Sequence, residues 1–158
     1  MIGNGGDTPN GSGGMIPSVA PPFGMTRWVA QTRQNYVSVT PYNHTDRVIR
    51  GFQGTHQPAI WMGESGQAIV VPGVGKVKPE FENRGLAFNK EGESATASYY
   101  AVSLQTEDGG DIKVEMSAST FDTGSSIATQ ILTHIIYSLS RRSPSFHLQH
   151  YFASVRSP

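Results

Sequence analysis

Alternation of apolar and polar positions is the clearest pattern in this chain. Ser98 to Leu104 and Asp111 to Thr120 both alternate, and Glu107-Asp108-Gly109-Gly110 between them supplies turn residues, which predicts an antiparallel hairpin. Ala68-Ile69-Val70-Val71 is a continuous apolar run closed by Pro72-Gly73, the pattern of a strand buried inside a sheet. Shorter β-branched and aromatic runs at Trp28-Val29-Ala30 and Tyr36-Val37-Ser38-Val39 predict two further strands. Arg47 to Phe52 reads as a short strand leading into a polar loop from Gln53 to Glu64. Up to Met25, Pro9, Pro17, Pro21 and Pro22 among Gly, Ser and Asn exclude a continuous helix and predict loop.

The pattern changes after Asp122. No acidic residue follows it, and Ile127, Ile131, Ile135 and Leu139 recur every four residues with Ala128, Leu132 and Ile136 beside them. This spacing predicts one amphipathic helix over 126–141, capped by Ser125 or Ser126 and ending near Arg141-Arg142 before Pro144. Ser145 to Pro158 is polar and aromatic without a period. The chain therefore divides into a body, 1–122, and a divergent tail, 123–158.

Composition narrows the class. With 158 residues, one domain is expected. Eighteen Gly, ten Pro and only 15% charged residues favour a mostly β, turn-rich chain. A formal net charge of zero removes the basic field that a nucleic-acid binder needs, so no nucleic-acid partner is expected. The absence of cysteine excludes disulfides, thiolate zinc sites and a cysteine nucleophile. No apolar run has the length of a membrane span, and Met1 to Gly6 has neither the basic nor the apolar region of a signal peptide. Asn10-Gly11-Ser12 and Asn43-His44-Thr45 have the form of glycosylation sequons and mildly favour secretion.

Few residue groups carry chemistry by their spacing. The glycines Gly3, Gly5, Gly6, Gly11, Gly13 and Gly14 lack the preceding strand and following helix of a phosphate cradle, so a flexible or tightly turned segment is expected. Asp108 and Asp111 lack the further oxygen donors of a calcium loop and suit a hairpin turn. Glu80, Glu82, Glu91, Glu93, Glu107 and Glu115 read as solvated charges, with no acid and base pair among them. His134, His147 and His150 read as surface histidines and no metal site is expected. Tyr42 to Glu64 differs, because it gathers His44, Asp46, Arg47, Arg50, Phe52, Gln53, Thr55, His56, Gln57, Trp61 and Glu64 in one segment. Sugar sites combine an aromatic face with planar polar groups in this way, although a polar loop with Phe52 and Trp61 as core anchors has the same composition.

Three stretches resemble the N-terminal domain of the family 92 glycoside hydrolases, calcium-dependent exo-α-mannosidases. Ile2-Gly3-Asn4-Gly5-Gly6 is similar to the family's Ile-Gly-Thr-Gly-Gly, and Pro22-Phe23-Gly24-Met25 to its Pro-Phe-Gly-Met. Asp46-Arg47-Val48-Ile49-Arg50-Gly51-Phe52-Gln53-Gly54-Thr55-His56 resembles its Asp-x-x-Ile-x-Gly-Phe-Ser-x-Thr-His. Phe88 to Val102 and Ile112 to Thr120 extend the likeness, which covers residues 2–120 and fails beyond Asp122.

The resemblance implies an antiparallel β-sandwich of supersandwich type, here incomplete, that packs on an (α/α)6 barrel carrying the catalytic carboxyl groups and most calcium ligands. It implies a secreted α-mannosidase acting on mannose-containing glycans, of which this chain is the pocket domain without the barrel. No catalytic residue and no calcium are expected in this chain alone. Its share of the pocket, carried over from the motifs, is Phe23, Gly24, Phe52, Thr55 and His56, with Trp61 just past the last motif as a sugar-stacking residue. Two other readings stand beside it: a carbohydrate-binding module without hydrolysis, and a truncated gene product whose tail is not family sequence.

Overall fold

Two antiparallel sheets share one hydrophobic core in the computed structural model, which describes residues 3–6, 15–20, 26–34, 40–55, 67–119, 132–139 and 146–153. The strands in chain order are β1 (Arg27–Gln31), β2 (Val48–Ile49), β3 (Gly51–Thr55), β4 (Gln67–Val74), β5 (Leu86–Phe88), β6 (Ser94–Ala95), β7 (Tyr99–Gln105), β8 (Asp111–Ser119), β9 (Leu132–Leu139) and β10 (Phe146–Ala153). The first sheet has the order β1-β3-β4-β10, and the second β2-β5-β7-β8-β9 with β6 beside β7. Among the described residues the only helical pieces are single 3-10 turns at Phe81–Asn83 and Lys90–Gly92.

The hairpin forms where alternation and turn chemistry place it. In β7 and β8, Tyr100, Val102, Leu104, Ile112, Val114 and Met116 are buried, while Ser103, Gln105, Asp111, Lys113 and Ser117 are exposed. Ala30 and Phe52 enter the same core from the first sheet, and the Phe52 ring meets Tyr100 edge-on at 6.4 Å and 64°. Each fully buried side chain of this kind contributes about 1.5–3 kcal/mol. Thr106 closes the turn, its hydroxyl donating to Gly110 O and accepting from Gly110 N, while Gly109 takes φ 74°.

Three expectations need correction. The stretch from Arg47 to Phe52 is two strands in different sheets, because the chain crosses between them at Arg50 and Gly51. Pro72-Gly73 does not end its strand, since β4 runs on to Val74 and the turn falls at Gly75, φ 82°. Among the described residues the β3–β4 ladder ends at Phe52↔Val70, short of Pro72.

The helix expected over 126–141 is the largest difference. Its described part, Leu132–Leu139, is strand β9, paired with β8 from Ile112↔Leu139 to Ser119↔Leu132. A four-residue repeat is also an even repeat, so it suits one face of a strand as readily as one face of a helix. Thr133, Ile135, Ile136 and Tyr137 have the β-branched or aromatic side chains that fit a pleated surface, which tips the choice. The strand expected at Tyr36 to Val39 lies outside the described residues.

Candidate functional site

The loop from Thr40 to Arg47 is the centre to which the described motif segments converge. Its backbone is fixed by side chains: Asn43 N donates to Thr32 Oγ1 at 2.9 Å, and Asn43 Oδ1 accepts from Thr45 N at 2.9 Å and Thr45 Oγ1 at 2.7 Å. Asn43 is completely buried, so the Asn43-His44-Thr45 triplet presents no acceptor amide for a glycan in the folded chain. Asp46, first residue of the long motif, receives Arg33 Nε at 2.8 Å, Arg33 Nη2 at 3.0 Å and Thr32 Oγ1 at 2.7 Å. This bidentate pairing ties the loop to the end of β1.

The N-terminal glycine segment docks on this loop. His44 N donates to Asn4 O, and Asn43 Nδ2 donates to Gly6 O at 3.3 Å. Gly3 turns the chain at φ 78°, and an added Cβ at Gly5 would meet His44 Cβ at 3.5 Å, an ordinary packing distance. The glycines thus serve a tight turn packed against Asn43 to Thr45.

Beneath the loop lies a buried carboxylate that sequence reasoning missed. The Glu93 side chain is 1% exposed and accepts from Tyr42 Oη at 2.8 Å and Tyr100 Oη at 2.7 Å. The half-exposed His44 ring stands near it, Nδ1 3.4 Å from Tyr42 Oη and 4.0 Å from Glu93 Oε2. Burial first, and the Glu93 hydrogen bond and charge next, push the Tyr42 hydroxyl well above the usual tyrosine range. Tyr100 is raised in the same direction by burial and then by Glu93. Both phenols are therefore locked as donors. Tyr100 has the parity of Val102 and Leu104, so its burial was legible, and a buried hydroxyl requires a partner. Nothing local identified that partner.

Of the residues carried over from the motifs, Phe52 lies in the core against Tyr100, and Thr55 ends β3 almost wholly buried, paired in register with Arg27. Phe23, Gly24, His56 and Trp61 lie outside the described residues. Between Phe52 and Thr55, Gln53 is completely buried, and neither amide atom has a hydrogen-bond partner among the described residues. Its register neighbours, Val29 and Ile69, are apolar. An unmatched buried amide costs roughly 1–3 kcal/mol. Gln53→Met, which keeps the shape and removes the amide, is expected to raise stability by about that amount, read as a higher urea midpoint; an unchanged or lower midpoint contradicts it.

A cavity of about 210 Å³ opens at the far end of β4, between Val71 to Lys78, Asn83 to Leu86 and the Thr106 to Asp108 turn. Lys78 and Glu107 pair across its exposed rim at 2.5 Å. The guanidinium groups of Arg50 and Arg84 lie over the nearby Phe81 ring, 5.0 and 5.3 Å from its centroid. The β3–β4 register puts this cavity at the end of the sheet away from Thr55. Among the described residues no three His, Asp or Glu side chains come together as metal ligands, and no helix is long and apolar enough to cross a membrane. Asp46 is taken up by Arg33 and Thr32, and Glu93 by two tyrosines, so the described carboxylates of the loop do not fit a calcium site.

Residues 1–122 match the glycosyl hydrolase family 92 N-terminal domain. Among solved structures, the family GH92 inverting mannosidase BT2199 from Bacteroides thetaiotaomicron VPI-5482 is similar over 78% of this chain and 16% of its own, at 26% identity and TM-score 0.56. The family GH92 α-mannosidase BT3965 from Bacteroides thetaiotaomicron is similar over 75% of this chain and 16% of its own, at 25% identity and TM-score 0.56. The GH92 family glycosyl hydrolase ccman5 is similar over 78% and 18%, at 25% identity and TM-score 0.57. The chain thus spans 16–18% of the length of these three structures. No curated protein matches it.

Proposed function

The chain belongs to glycosyl hydrolase family 92 through its N-terminal domain, and on that premise we propose that it forms one wall of a mannose-binding pocket in an α-mannosidase acting on glycans. The observation that carries this reading is the convergence of two motif segments: Gly3 to Gly6 is docked by hydrogen bonds on the loop that opens the Asp46 to His56 motif. Rigid placement of this kind is what a sugar-contacting wall requires, since a pocket loses affinity when its supporting residues move. Arg33, Thr32 and Asp46 hold the loop from one side, and Tyr42, Glu93 and Tyr100 from below.

In this reading the two sheets are the family's β-sandwich, and the chain's own work is to bind and orient. Inverting hydrolysis uses one carboxyl as general acid and another as general base about 6.5–9.5 Å away, with room for water between them. Among the described carboxylates, Asp46, Glu93, Glu107 and Glu115 are held by cations or hydroxyls, and Glu80 by the Asn83 amide. We assign the acid and base to a barrel domain outside these 158 residues, together with the calcium whose chemistry is to bind sugar hydroxyls. Adding mannose at millimolar concentration to the isotope-labelled chain is expected to shift the amide resonances of Gly3 to Gly6 and Gly51 to Thr55. Absence of shifts there, or equal shifts with glucose, would overturn the reading.

A further inference from the structure

We propose that the tail is a clasp, a two-strand arm that fills the open edges of both sheets from within the same molecule. The family match ends at residue 122, yet the chain beyond it pairs in full register. Strand β9 lies along β8 for eight residue pairs, and β10 lies along β4 for eight, from Phe146↔Val74 to Ala153↔Gln67. Only residues 140–145 separate these two strands, so the arm leaves the edge of one sheet and enters the edge of the other.

The edges it covers are the ones most in need of cover. Without the arm, β8 would be a nine-residue edge strand and β4 an eight-residue one, and β4 contains the apolar run Ala68 to Val71. Long apolar edges invite strand addition by other chains. Charge also fits a covering segment from the same chain: residues 123–158 carry three arginines and no acid, so the neutral chain divides into a body of net −3 and a tail of net +3. Opposite net charge draws the arm toward its own body. The inference does not depend on any sugar binding.

Residue-resolved amide hydrogen exchange on the full chain tests it. Successive amides of a strand point to opposite neighbours, so an interior strand protects all of them and an edge strand only every second one. In the native chain, β8 amides are expected to be slowed together, by about a hundredfold or more relative to loops. The variant Ile136→Pro is expected to release every second amide of β8, and Gln149→Pro to release amides of β4, with the Arg27↔Thr55 to Gln31↔Gly51 ladder unchanged. Alternating exchange already present in β8 of the native chain, or no response of either strand to its proline, would overturn the clasp. Light scattering is expected to give a monomer at all concentrations; a dimer that exchanges arms between labelled and unlabelled copies would contradict closure within one molecule.

Discussion

Glu93→Ala is expected to destabilise the chain by about 3–5 kcal/mol, because it removes the acceptor shared by two tyrosine hydroxyls that are buried with the carboxylate. A hydrogen bond to a charged group contributes about 1.5–3 kcal/mol, and a buried donor left unmatched adds its desolvation cost. Glu93→Gln retains one acceptor of the same shape and should recover part of the loss. The same cluster sets the alkaline limit. Both Tyr42 and Tyr100 are raised above the ordinary tyrosine range in the folded chain, whereas the unfolded chain ionises near pH 10. Their stabilising contribution is therefore complete below about pH 10 and is lost as pH rises toward the folded values. The slope should approach roughly 1.4 kcal/mol per pH unit for each tyrosine. Urea midpoints measured across that range should fall steeply in the native chain and less so in Tyr42→Phe; equal slopes would show that Tyr42 is not held as described.

Gly51→Ala is expected to cost about 2–5 kcal/mol, combining backbone strain with overpacking. Gly51 takes φ 153° where the chain crosses from one sheet to the other, and an added Cβ would lie 2.9 Å from Ile69 Cγ2, 3.2 Å from Val71 Cγ2 and 3.3 Å from Val70 O. Ile69 and Val71 are branched at Cβ and held in a strand, so neither can swing aside cheaply. Gly73→Ala is the control, because nothing stands within 4 Å of its added Cβ. A midpoint for Gly51→Ala equal to that of Gly73→Ala would remove the crossing glycine from the account.

These two sites illustrate what the residue pattern conveyed. The β7–β8 hairpin was legible because alternation and turn chemistry are local and agree. The crossing at Gly51 was hidden, since Val48-Ile49 and Phe52 look like one strand and sheet membership depends on distant partners such as Leu86 and Val70. Glu93 read as solvated because Tyr42, 51 residues away, determines its burial. The tail misled for a different reason: its repeat of four fits both periods, and long-range pairing with Ile112 to Ser119 decided it. For the candidate site, the motifs marked Asp46 to His56, and the structure adds the ties from Arg33 and Glu93 that hold the loop opening that segment.

We propose that these residues form part of a mannosidase without performing its chemistry. Release of mannose from α-mannosides should be followed with the folded 158-residue chain and calcium present. The account predicts no release above buffer. Sustained release in proportion to the amount of chain would contradict it and place an acid and base within the sequence itself.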